Sequence, residues 1–135
     1  IEARSVKDIS KLLSVEPSAY WQSHYRFDKA AEPHNGVIGR TTIDILLINA
    51  IVPTLFLYGK HTNHEELSEK ALELLHSLKA EKNRIIETWE SLGIHSADAY
   101  TTQALIQLRK EYCDYKRCTQ CAIGHKLMGA KIKLQ

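Results

Sequence analysis

Cys113, Cys118 and Cys121 fall within nine positions of one another, and His125 follows four residues later. Cysteine and histidine at this spacing can gather a soft metal ion. A two-residue gap lets the Cys118 and Cys121 thiolates face one ion at about 2.3 Å, and a tetrahedral zinc site takes four ligands, of which His125 can be the last. The same cysteine spacing matches the first three ligands of a plant-type iron–sulfur centre, whose fourth cysteine lies further along the chain. No fourth cysteine is present. Such a centre would need a ligand from another part of a longer protein, or His125. Two other readings stand beside these. Free cysteine behaves as a small buried hydrophobe, so the three can fill a helix junction. Cys118 and Cys121 can also form a redox pair, although no strand precedes them as in thioredoxin-like motifs.

A second cluster lies in "YWQSHY", which gathers Tyr20, Trp21, His24 and Tyr25. Such aromatics anchor cores while their polar ends find partners. The alternative is a pocket in which His24 acts as an acid–base or metal group. Asn49, Asn83 and Gln103 sit near apolar positions and must be hydrogen-bonded if buried, which favours a role in fixing helix register. His61, His64 and His76 read as solvent-facing. No Gly-rich phosphate loop, Ser-His-Asp ordering or spaced carboxylate pair occurs, so no catalytic residue is assigned.

The elements that must position these groups are helical. The chain has 135 residues, 44% apolar and 25% charged, with 6 Gly and 3 Pro. That is one domain's worth, short of helix breakers. Ser5 caps a first helix bearing Val6, Ile9, Leu12 and Leu13 on one face. Pro17 opens a second at "PSAYWQSHYRF". A loop with Pro33, Asn35, Gly36 and Gly39 precedes "TTIDILLINAIVPTLFLYG", capped by Thr41 or Thr42, kinked at Pro53 and stopped by Gly59. Its stripe Leu46, Leu47, Ala50 and Ile51 is expected to be buried, and the run Ile43 to Tyr58 is too short to span a bilayer. Asn63 and Glu66 approximate a capping box for the next helix. Ile85, Ile86, Trp89 and Leu92 mark another helix, closed by Gly93. Ser96 caps a last long helix that delivers Cys113. The expectation is an all-α single compact domain over 1–135, of about six helices.

Charge is uneven. Net charge is +2, but the segment from Arg109 to Gln135 carries +5 and the remainder −3. Lys116, Arg117 and Lys126 surround the cysteines and can meet phosphate or an acidic domain; the alternative is a solvated tail. No signal-peptide pattern is visible, and crowded cysteines in odd number do not form a secreted disulfide framework. A cytoplasmic protein with no membrane contact is expected.

Together, "YWQSHYRF", "IDILLINAIVPTLFLYG", "AEKNRIIETWESLG" and "QALIQLRKEYCDYKRCTQCAIG" resemble a Bacteroidetes-type bacterial family, domain of unknown function twenty-eight fifty-one. The resemblance runs over nearly the whole chain, with "YC" to "CAIG" as its most specific part. It implies a longer protein of which this chain is the carboxy-terminal portion. It also implies an amino-terminal partner domain in the same chain, similar to a restriction-endonuclease-type nuclease core. Some nucleases of that fold close an iron–sulfur centre with a carboxy-terminal cysteine cluster and one remote cysteine, at a spacing different from this one. The leading expectation is therefore a helical accessory domain that supports a nuclease-like domain and contacts nucleic acid. The alternatives are a metal-dependent or small-molecule enzyme using His24 and the cysteines, and a purely structural interaction module.

Overall fold

The computed structural model describes residues 5–129 and is mostly helical. It divides into two compact units, Ile1–Leu75 and His76–Gln135.

In the first unit, helix α1 (Val6–Leu13) starts where the sequence places it. The Ser5 hydroxyl accepts from the Asp8 N–H at 3.2 Å, and the Asp8 carboxylate accepts from the Ser5 N–H at 3.1 Å. This reciprocal capping box satisfies two otherwise orphaned donors. The helix expected after Pro17 does not form. Its place is taken by a 3₁₀ turn, Ala19–Gln22, and an antiparallel hairpin of β1 (His24–Arg26) and β2 (Lys29–Ala30). Aromatic residues favour extended backbone over helix, and Asp28 adopts a left-handed φ of 55° that reverses the chain between the strands.

The apolar segment forms one continuous helix, Arg40–His61. It consists of α2 (Arg40–Leu46), a π turn (Leu47–Ile51) and α3 (Val52–His61). The helix begins one residue before Thr41, with Gly39 as its N-cap. Arg40 pairs with Asp44 one turn on at 3.0 Å. Pro53 does not break the helix. The irregularity it imposes is the π turn just before it, where the Val52 N–H reaches back to the Leu47 carbonyl. A proline removes its own donor and crowds the carbonyl four residues earlier, and a widened turn relieves that crowding.

The buried face of this helix also differs from the expected stripe. Ile43, Leu47, Ile48, Val52 and Gly59 are buried, whereas Leu46 and Ala50 are exposed. The extra residue per turn in the π segment rotates the face. Gly59 does not stop the helix. A Cβ there would meet the Ser68 hydroxyl at 2.7 Å and the Ser68 nitrogen at 2.8 Å, so glycine permits the close approach of α4 (Glu65–Ser77). Asn63, expected in a capping box, instead takes a left-handed φ of 57° in the turn between α3 and α4. By length and composition Arg40–His61 is long and apolar enough to cross a membrane, and 28% of its apolar window is buried. The apolar run Ile43 to Tyr58, interrupted by Asp44, Asn49 and Pro53, is too short by itself, and the helix extends three residues beyond it at each end.

The second unit contains α5 (Arg84–Ser91), α6 (Ala99–Leu108), a π turn (Arg109–Cys113), a 3₁₀ turn (Cys118–Gln120) and α7 (Ala122–Leu127). Asn83 is an N-cap, not a core register residue: its side-chain Oδ1 accepts from the Ile85 and Ile86 N–H groups at 3.0 and 3.1 Å. Asp98, not Ser96, caps α6. Leu78, Ile86, Ala99 and Thr102 are buried in this unit. The Trp89 indole N–H donates to the Leu105 carbonyl at 3.2 Å, tying α5 to α6.

Leu47 has no exposed surface. Replacing it by Ala is expected to cost about 2–5 kcal/mol in chemical denaturation, whereas Leu57→Ala on the 65% exposed face should cost less than about 0.5 kcal/mol. Equal costs at the two positions would contradict this one-sided burial.

Candidate functional site

The carboxy-terminal turn is built by a succession of tight reversals after α6. The Asp114 N–H bonds to the Arg109 carbonyl, Lys116 to Cys113, Arg117 to Tyr112 and Gln120 to Arg117, all between 2.9 and 3.0 Å. Lys116 occupies a left-handed φ of 53° at the reversal. This places Tyr115, Lys116, Arg117 and Cys118 on the surface. The Arg117 guanidinium lies over the Tyr115 ring, 4.7 Å from its centroid. Arg109 pairs with Asp114 at 2.6 Å. Among the described residues no carboxylate pairs with Lys110, Lys116, Arg117 or Lys126. Lys131 and Lys133, which add to the positive charge of Arg109 to Gln135, lie outside the described residues.

The predicted ligands sit in different environments. Cys113 and Cys118 are exposed free thiols, and Cys121 is buried. Cys118 and Cys121 lie in one turn, the Cys121 N–H reaching the Cys118 carbonyl at 3.4 Å, and the His125 N–H bonds to the Cys121 carbonyl at 2.8 Å. Gly124 packs directly on the Cys118 backbone, where any Cβ would overlap the Cys118 carbonyl. The structure thus brings Cys118, Cys121 and His125 together along the backbone. Among the described residues no group of three His, Cys, Asp or Glu side chains is arranged to hold a metal ion. The His125 Nδ1 atom is buried without a hydrogen-bond partner.

The aromatic cluster is assembled as a stack. Tyr20 and His24 lie with ring centroids 4.1 Å apart and 10° between planes, although the segment is a turn and strand instead of a helix. His24 Nδ1 is 2.9 Å from the Tyr20 carbonyl and 3.1 Å from the Ser23 hydroxyl. Local partners therefore fix the ring through Nδ1 and leave Nε2 as the nitrogen that an acid–base or metal role would use.

Sequence reasoning missed one polar constellation. His76, read as solvent-facing, hydrogen-bonds through Nδ1 to the Asp98 carboxylate at 2.8 Å and stacks on Tyr100 at 4.3 Å. The other Asp98 oxygen accepts from the Thr101 N–H and hydroxyl, both at 2.8 Å. These bonds, the Thr101 N–H first and His76 next, hold the Asp98 carboxyl down at about 2 from an ordinary 3.8. An N-cap aspartate before α6 was the available signal, since Asp98 directly precedes the helical run.

A family model described as protein of unknown function (DUF2851) matches residues 1–84. The chain belongs to this family. No curated protein and no solved structure matches it. The match to the DUF2851 family covers the hairpin and the Arg40–His61 helix. The cysteine turn, expected to be the most specific part of the resemblance, lies beyond the matched residues.

A carboxyl whose folded pKa lies below its unfolded value contributes stability that is fully present above the unfolded pKa and lost as pH falls through the folded one. For Asp98 that window runs from 3.8 down to about 2. Acid titration of unfolding free energy should therefore show a loss across this window that is reduced in Asp98→Asn. An identical acid profile in the variant would contradict the assignment.

Proposed function

We propose that this chain is a helical accessory module without a catalytic centre of its own, which contacts nucleic acid through the turn Tyr115–Arg117 and supports a nuclease-like domain. The observation that carries the reading is the combination at that turn. Among the described residues Lys116 and Arg117 have no carboxylate partner, and they stand beside an aromatic ring that is 65% exposed, on backbone fixed by successive hydrogen bonds. Lysine and arginine release counterions when they meet phosphates, and an exposed ring adds a stacking face. Contacts of this type give weak, sequence-tolerant binding that falls steeply with salt. In Lys116→Gln and Arg117→Gln, the slope of log affinity against log salt should flatten by about one per charge removed. A slope unchanged in both variants, or no binding at low salt, would contradict the reading.

A second reading, a metal site at the same turn, is favoured by the unpartnered His125 Nδ1. Two thiols and this imidazole are the donor set of a zinc site, with Cys113 as the candidate fourth ligand. Rotation of the exposed Cys118 and Cys113 side chains would have to bring their sulfurs to the ion. An ion held there would pin the basic turn, since binding energy at such sites is also folding energy. Stoichiometric zinc should then slow alkylation of Cys113 and Cys118, and His125→Ala should abolish that protection. Alkylation rates indifferent to zinc would favour cysteines that simply pack.

A further inference from the structure

The hairpin at the other end of the sequence displays rings and cations that no packing requirement explains. Tyr25 is 71% exposed and Phe27 77% exposed, costly positions for large apolar surfaces. They are nonetheless held in place. Tyr25 stacks on His34 with centroids 3.9 Å apart and 20° between planes. Phe27 meets the Trp21 ring edge-to-face at 5.0 Å. The Asp28 N–H donates to the Tyr20 hydroxyl at 2.9 Å, which fixes the reversal. The Ala31 and His34 N–H groups bond to the Ser23 and Gln22 carbonyls, both at 2.8 Å, and anchor the base of the hairpin.

Cations alternate with these rings. Arg26 separates Tyr25 from Phe27, and Lys29 follows the reversal; the two face each other in the strand register. Both are exposed, and among the described residues neither has an acidic partner. Exposed rings with the Arg26 guanidinium between them and the Lys29 ammonium just past Asp28 match the chemistry of unpaired bases on a phosphate backbone. A neutral sugar would use the rings and leave the cations idle. An apolar protein surface would have to desolvate both cations without pairing them.

We propose that the hairpin tip Tyr25–Lys29 is a stacking platform for unpaired nucleobases, with Arg26 and Lys29 taking the adjacent phosphates. It is a surface distinct from the Tyr115–Arg117 turn, and its test uses different variants. The shape of the platform favours single strands, because the bases of a duplex are already stacked on one another.

The test is fluorescence anisotropy of a labelled oligothymidylate titrated with the intact chain at low salt. Tyr25→Ala and Phe27→Ala should each weaken binding roughly 5- to 150-fold, the equivalent of the ~1–3 kcal/mol that one base–aromatic stack contributes. Tyr25→Trp should preserve affinity, and Phe27→Leu, which keeps apolar area but loses the ring face, should not. Arg26→Gln should reduce the salt slope by about one. Both alanine positions are exposed, and unchanged thermal melting would confirm intact folding; should Phe27→Ala unfold, Phe27→Leu and Arg26→Gln carry the test. Full affinity in Tyr25→Ala and Phe27→Leu, alongside loss in Lys116→Gln, would overturn the hairpin and leave the basic turn standing. Loss confined to the hairpin variants would uphold it and overturn the turn. Equal affinity for a duplex, or no binding of the oligonucleotide at all, would overturn the platform.

Discussion

The Asp98 carboxylate accepts three hydrogen bonds, two from Thr101 and one from His76, while its own backbone bridges to Lys79 and the next N–H, of Ala99, donates to the Leu78 carbonyl. One residue thus caps α6 and fastens its start to the segment that follows α4. An unsatisfied helix start would leave several N–H groups without partners, and α6 is the element from which the whole carboxy-terminal turn is suspended. The chain of reversals from Arg109 to Cys121 has few apolar contacts of its own, and Cys121 is its one buried side chain. Its geometry is therefore inherited from α6 and from local backbone hydrogen bonds. Gly124 completes that arrangement by letting α7 sit against the Cys118 backbone.

The first unit shows a parallel economy. A single face of Arg40–His61, centred on Leu47, is buried against its surroundings, and the opposite face keeps Ile45, Leu57 and Tyr58 in the open. The hairpin is secured by ring contacts and backbone bonds instead of a core. In both units, then, helices supply the rigidity and short irregular segments carry the exposed polar and aromatic groups.

Much of this was legible in the residues. Ser5 announced a helix start, and the periodic apolar positions of α5 announced its helix, because local capping and amphipathic spacing survive in any tertiary setting. Other features depend on longer-range terms. The π turn before Pro53 shifts the buried face by a fraction of a turn, and no periodicity analysis that assumes a regular helix can place Leu46 outside and Ile48 inside. "PSAYWQSHYRF" has helical spacing between Tyr20 and His24, yet the rings meet across a turn and strand, since a 3₁₀ turn brings the same pair together. The His76–Asp98 bond joins residues 22 positions apart and is invisible to local pattern. At the cysteines, spacing places Cys118, Cys121 and His125 on neighbouring turns, but side-chain direction is set by rotamers, which spacing does not encode.

The proposed nucleic-acid contact lies at the exposed turns. The most direct measurement is a residue-by-residue titration of backbone amide resonances with an unstructured oligothymidylate at low salt. Shifts are expected to concentrate at Tyr25–Lys29 and Tyr115–Arg117 and to reverse with added salt, with Leu47 and Ile86 unmoved. Shifts absent at both turns, or confined to the apolar face of Arg40–His61, would contradict it.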